Sequence, residues 1–179
     1  MNHHQFTQTI TTNLPDFKSQ PLKPKHLLFS QGDPATNFFL ILSGSLKLTH
    51  LNPDGDQNII EIINQNELIG TESFDPNSTY KISAQAITQV QYLSLPRLQF
   101  LQLLNTDPTL YLYLIKQFRH KLWRSLQANQ NLSLKGAQQR VTDYFITHPN
   151  QTLTHQEISE LLGTTRETVS KISSRLKTN

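Results

Sequence analysis

Residues 154–177, THQEISELLGTTRETVSKISSRLK, decide how the C-terminal part of this 179-residue chain folds. Thr154 and Glu157 stand at the spacing of a capping box, in which hydroxyl and carboxylate each satisfy a backbone amide at a helix start. Thr164 and Glu167 repeat that spacing, and Thr165 serves equally well as the second N-cap. Gly163 supplies a sharp turn between two short helices. Ile158, Leu161, Leu162, Val169, Ile172 and Leu176 make the apolar set that locks such helices at a steep angle. That leaves Thr165, Arg166, Glu167, Ser170 and Lys171 pointing outward from the start of the second helix, the positions that enter the major groove in a helix-turn-helix.

The chemistry of those side chains suits double-stranded DNA. Arginine carries a planar fork that matches the O6 and N7 acceptors of guanine, and glutamate can accept from the cytosine amino group. Arg175 and Lys177 can reach phosphates, as can the polar residues Thr154, His155 and Gln156 and the backbone amides at the helix starts. Charge is distributed accordingly. The formal net charge of +3 divides into −3 over residues 1–108 and +6 over residues 109–179. A basic C-terminal half is what a nucleic-acid partner calls for.

Upstream, residues 27–95 read as strands: Leu27–Phe29, Phe38–Leu42, Leu46–Leu51, Ile59–Ile63, Leu68–Ile69, Ile82–Ala86 and Val90–Leu95. Turn signals cut them at Gln31–Pro34, Ser43–Ser45, Asn52–Asp56, Gly70 and Asp75–Ser78, and Asp54-Gly55 reads as a hairpin. Short strands with a Gly or Pro turn every ~8–12 residues indicate a sandwich, jelly roll or barrel.

The period changes at Pro96. Leu98, Leu101 and Leu104 fit a short helix ending at Asp107-Pro108. Beyond it Tyr111, Ile115, Phe118, Leu122, Leu126 and Asn129 recur at three- and four-residue steps, an apolar stripe on a long helix uninterrupted by Gly or Pro. Tyr113, Leu114 and Trp123 lie off the stripe, so the helix has two apolar sides to bury. The stripe is expected to meet a second subunit, with Ser125 and Asn129 setting register in a homodimer. A further helix, Gln138 to Thr147, turns Val141, Tyr144 and Phe145 inward.

The expected organisation is mixed α+β: an N-terminal arm over 1–20, a jelly-roll domain over 21–108, a long dimerisation helix over 109–135 and a helix-turn-helix domain over 136–179. The chain has no cysteine, which removes disulfides, thiolate metal sites, iron–sulfur clusters and a cysteine nucleophile. No run approaches the ~18 apolar residues of a bilayer span. The N-terminus lacks a signal peptide's basic and apolar regions, so a cytoplasmic protein without membrane contact is expected. An enzyme on a jelly-roll scaffold would need clustered His and carboxylates, and the roll holds only His26 and His50. No enzyme activity, metal or cofactor is therefore expected.

Three stretches resemble the CRP/FNR family of bacterial transcription regulators. Arg166-Glu167-Thr168-Val169-Ser170-Lys171 is close to the family's recognition-helix signature. Gln31-Gly32-Asp33-Pro34-Ala35 followed by Ile41-Leu42-Ser43-Gly44-Ser45-Leu46 looks like its roll, and Leu68-Ile69-Gly70 like the turn before its effector site. The resemblance spans about residues 20–177 in the family's order. It implies a cyclic-nucleotide-binding-like jelly roll, a dimer, base reading by Arg166, Glu167 and Lys171, and RNA polymerase and a small-molecule effector as further partners. Lys171 stands where the family carries Arg and lacks its bidentate fork, so recognition at that base pair should be looser.

Two departures shape the expectation. Cyclic-nucleotide binders in the family follow the glycine with Glu and later present Arg to the cyclic phosphate. Here Gly70 precedes Thr71, Glu72 comes one place late, and the phosphate position falls at Tyr80-Lys81. Without the forked, charge-assisted bond of Arg, cyclic AMP or GMP is not expected, which leaves a different small-molecule effector around Gly70, Thr71, Glu72, Tyr80 and Lys81, or no effector at all. The family also continues past the recognition helix into a β-hairpin wing, which this sequence does not include. An alternative reading is therefore a dimeric interaction protein with weak or non-specific DNA binding.

Overall fold

The run Phe38–Leu42 shows no polar alternation because the strand it belongs to is covered on both faces, the usual origin of a continuous apolar strand. The computed structural model describes residues 3–14, 17–149 and 151–177, with side chains apart from those of residues 3–4, 128–134 and 177. The chain divides into two compact units, Met1–Arg119 and His120–Asn179.

The first unit holds eight strands: β1 (Gln20–Leu22), β2 (Leu27–Phe29), β3 (Asn37–Ser43), β4 (Leu46–Leu51), β5 (Gln57–Ile63), β6 (Leu68–Ile69), β7 (Ser83–Ala86) and β8 (Val90–Pro96). They form two antiparallel sheets, ordered β1-β8-β3-β6 and β2-β7-β4-β5. The register of β3 on β8 pairs Phe38 with Leu95 and Leu40 with Leu93. These four side chains face three helices: α1 (His3–Asn13), α2 (Arg97–Thr106) and the start of α3 (Pro108–Leu134). Phe39 and Ile41, offset by one residue, face the opposite way and meet Leu46, Leu48, Ile63, Ala84 and Ala86 of the second sheet inside the roll. Period-two side-chain direction thus gives one strand two cores.

The expected strands are all present, extended by a residue or two at β3, β5 and β8 and shortened by one at β7. Asp54 and Gly55 lie in the hairpin loop between β4 and β5, where the Asn52 amide bonds the Asp56 carbonyl at 2.9 Å.

Two helical details differ from the sequence pattern. Within the segment expected to be an N-terminal arm, His3–Asn13 is a helix whose Phe6 and Ile10 are fully buried in the core beneath the first sheet. In α2 the buried face is Phe100, Leu103 and Leu104, and Leu98 is 68% exposed, because only that face meets the sheet. The junction after α2 is tight. The Asp107 amide still bonds the Leu103 carbonyl at 3.0 Å, while its carboxylate accepts from the Thr109 amide at 3.0 Å and the Thr109 hydroxyl at 2.6 Å. Asp107 thus closes α2 and caps α3, with Pro108 at the first helical position, where its missing N–H costs nothing.

The second unit carries α4 (Ala137–Thr147), α5 (His155–Leu161) and α6 (Arg166–Lys177), with α6 packed on both others. Its core is Val141, Leu153, Ile158, Val169 and Ile172, with Ser159 and Ser173 buried beside them. Tyr144, Phe145, Leu161 and Leu162 are half-buried, and Leu176, expected in the apolar set, is 40% exposed.

Candidate nucleic-acid interface

Both caps of the helix pair are formed. At α5 the Thr154 hydroxyl accepts the Glu157 amide at 3.2 Å, and the Glu157 carboxylate accepts the Thr154 amide at 2.9 Å. At α6 the choice between Thr164 and Thr165 falls to Thr165, whose Oγ1 accepts the Thr168 amide at 3.3 Å. Between them Gly163 adopts the left-handed conformation, φ 57°, and the Thr164 amide reaches back to the Ser159 carbonyl at 3.0 Å. A left-handed residue after a helix, with an amide returned across the last turn, is the standard helix stop.

With Val169, Ile172 and Ser173 turned inward, the opposite face of α6 is left to solvent. Thr165, Arg166, Glu167, Ser170 and Lys171 are all exposed. Arg166, Glu167, Ser170 and Lys171 line one shallow groove together with Ser174, which the sequence reading did not select although it lies one turn beyond Ser170. The Ser174 hydroxyl donates to the Ser170 carbonyl at 3.0 Å. The Glu167 carboxyl is held below the usual carboxylate range by its own backbone amide, by the Thr165 hydroxyl and by the Arg166 charge. It is therefore an ionised acceptor at neutral pH, as accepting from a base amino group requires.

The phosphate candidates are less uniform. Thr154 is engaged in its cap, Gln156 Nε2 donates to Glu160 Oε1 at 3.0 Å, and the half-buried His155 ring meets Phe145 edge-on. Arg175 is exposed, and the Lys177 side chain falls outside the described residues. Arg140 on α4 was also missed. Its guanidinium donates to backbone carbonyls in the turn between the two helices, an interaction with no sequence signature.

In the first unit, Gly70 opens a short 3-10 turn, Thr71–Phe74, with φ +79°. A Cβ there would sit 2.7 Å from the Asn37 carbonyl oxygen, so only glycine fits. Tyr80 is buried, stacks on Phe29 at 4.1 Å, and through one hydroxyl both donates to the Asn37 carbonyl at 2.7 Å and accepts its amide at 3.2 Å. Burial pushes its hydroxyl pKa above the ordinary value. Glu72 Oε1 accepts the Lys81 amide at 3.2 Å, and the Lys81 side chain is exposed. The five effector candidates therefore lie together around the Asn37 backbone and this turn.

Helix α3 has one buried and one exposed apolar side, and Trp123, expected off the stripe with Tyr113 and Leu114, is 60% exposed. Leu110, Tyr113 and Leu114 are buried in the core, whereas Tyr111, Ile115, Phe118, Leu122 and Leu126 are exposed, Leu122 to 62%. Asn129, the sixth stripe residue, has a side chain outside the described ones. Among the described residues no group of His, Asp and Glu could hold a metal ion, and no helix is long and apolar enough to cross a membrane.

Comparison with known proteins agrees with this geometry. A cyclic nucleotide-binding domain matches residues 19–107, and a Crp-like helix-turn-helix domain matches residues 131–179. The transcriptional activator protein anr of Pseudomonas aeruginosa is 27% identical over 175 residues, covering 90% of this chain and 71% of that protein. A CRP-like cAMP-activated global transcriptional regulator of Mycobacterium tuberculosis is 28% identical over 163 residues, covering 82% of this chain and 71% of its own length. The c-di-GMP responsive regulator CLP of Xanthomonas campestris shares the fold, with a TM-score of 0.79 at 19% identity, over 96% of this chain and 92% of that one. With both domain types matched in this order and relatives aligned across most of their length, the chain belongs to the CRP/FNR family of transcription regulators.

Proposed function

We propose that this protein is a homodimeric regulator that binds a two-fold symmetric DNA site, with α6 of each subunit in successive major grooves about 34 Å apart. The observation that carries this reading is the open face of α6, where Arg166, Glu167, Ser170 and Lys171 share one groove. Thr165, Arg166, Glu167, Ser170 and Lys171 read bases. Thr154, His155, Gln156, Arg175 and Lys177 lie where the phosphate backbone passes. The exposed side of α3, from Tyr111 to Leu126, supports the dimer, since so many large apolar side chains in one stripe favour association.

The effector, where one binds near Gly70, Thr71, Glu72, Tyr80 and Lys81, is not cyclic AMP. The Tyr80 hydroxyl is spent on Asn37 and the Glu72 carboxylate already takes the Lys81 amide, so an incoming phosphate would meet a negative charge in place of a guanidinium fork.

Selection from a random duplex pool at two salt concentrations tests the proposal. A two-fold symmetric site is expected, lost in Arg166→Ala and unchanged when cyclic AMP is added. Binding that is sequence-indifferent and erased by salt would overturn it. Selection that requires cyclic AMP would overturn the effector reading alone.

A further inference from the structure

The first residue after α3 and the turn between α5 and α6 are joined by a single side chain. From α4, Arg140 Nη1 donates to the Lys135 carbonyl at 2.6 Å, Nε to the Leu162 carbonyl at 3.0 Å and Nη2 to the Gly163 carbonyl at 3.0 Å. The last carbonyls of a helix have no partner within it, so the end of α5 offers acceptors. Nε and Nη2 lie along one edge of the guanidinium, the edge that elsewhere grips a carboxylate. Two successive backbone carbonyls take the carboxylate's place here, as Leu162 leaves the helix at φ −99°, ψ 3° and Gly163 turns left-handed. Lys135 is held from its other side as well, by its Nζ on the Asp143 carboxylate at 2.6 Å.

We propose that Arg140 is a positioning residue for base recognition, fixing the direction in which α6 leaves the turn relative to the end of α3. It touches no base on this account. Its rigid fork sets the angle between α5 and α6, and that angle decides whether Arg166 and Lys171 meet base edges or only phosphates. Lysine at this position keeps the charge and much of the stem but cannot span two carbonyls in a fixed plane.

The inference rests on the DNA-binding reading above, and the experiment keeps the two apart. The full-length protein and its Arg140→Lys and Arg140→Gln variants are compared in three measurements. These are thermal melting, affinity for a non-specific duplex against affinity for the site the unaltered protein selects, and amide exchange at Thr164, whose amide spans the turn to Ser159. For Arg140→Lys we expect melting close to that of the parent and non-specific affinity within about twofold, since phosphate contacts are untouched. Affinity for the selected site should fall by about tenfold or more, the scale of losing one well-placed base contact. Thr164 exchange should quicken. An unchanged ratio of specific to non-specific binding in Arg140→Lys overturns the proposal, as does a loss of both affinities in equal measure. If Arg140→Gln does not fold, Arg140→Lys carries the test. If the unaltered protein selects no site, the DNA-binding reading is what fails, and unchanged Thr164 exchange in Arg140→Lys then overturns the positioning role independently.

Discussion

The ring of Phe6 stacks on that of Tyr113, with centroids 4.1 Å apart and planes 18° from parallel. Phe6 and Ile10 are the apolar anchors of an otherwise polar α1, and both are fully buried. Phe6→Ala should cost about 3–5 kcal/mol, the usual range for emptying a buried phenylalanine site. Urea unfolding checks this: the midpoint should drop at unchanged slope. An unmoved midpoint would mean that α1 does not unfold with the rest of its unit.

Tyr113 also gives the fold a dependence on alkaline pH. Burial, chiefly, pushes its hydroxyl from 10.0 up to about 12, against the lowering effect of the bond from Gln117 Nε2 at 2.7 Å. Above pH 10 the unfolded chain loses this proton while the folded chain keeps it, so stability falls as pH rises from 10 towards 12 and is whole below 10. Urea midpoints taken across that window should fall less steeply in Tyr113→Phe than in the parent. Part of the slope should survive, because burial also raises Tyr80, Tyr92 and Tyr144.

The cap of α6 separates two adjacent threonines. Thr165→Ala removes the acceptor of the Thr168 amide and should destabilise the second unit by about 1 kcal/mol, whereas Thr164→Ala should be nearly neutral. Melting in the absence of DNA measures both, and equal losses would contradict the assignment.

The two sides of α3 should respond differently to charge. Ile115→Glu and Leu122→Glu, on the exposed side, should leave secondary structure intact and shift sedimentation to the monomer. Leu114→Glu, on the buried side, should prevent folding, because an unpaired carboxylate cannot be accommodated in that core. A dimer that persists in Leu122→Glu and Ile115→Glu would place the subunit contact elsewhere.

Most of the roll was legible because its strands are short, β-rich and punctuated by Gly and Pro, and the helix pair because caps and turn glycine occur at fixed spacing. What escaped was tertiary in origin. α1 has one apolar i, i+4 pair, Phe6 and Ile10, amid Gln and Thr, and it is the core beneath the first sheet that makes it a helix. In α2 the leucines alone suggested Leu98, Leu101 and Leu104, but the sheet selects Phe100, Leu103 and Leu104. Two hydroxyls at equivalent spacing made Thr164 and Thr165 indistinguishable until backbone geometry chose. Arg140 left no trace because its partners are carbonyls, which every residue has.

The junction at Asp107 has a consequence for how this chain tolerates change in length. One residue ends α2 and begins α3, so there is no slack in which an inserted residue could be absorbed. Each residue added just after the cap would turn the residues that follow it in α3 by about 100° around the helix axis. Ile115 and Leu122 would leave the face they occupy, and the side chains now packed on the sheet would be replaced by their neighbours. Substitutions in α3 can be sampled one at a time, but a single insertion rewrites the whole helix. The phase of α3 is counted from Asp107.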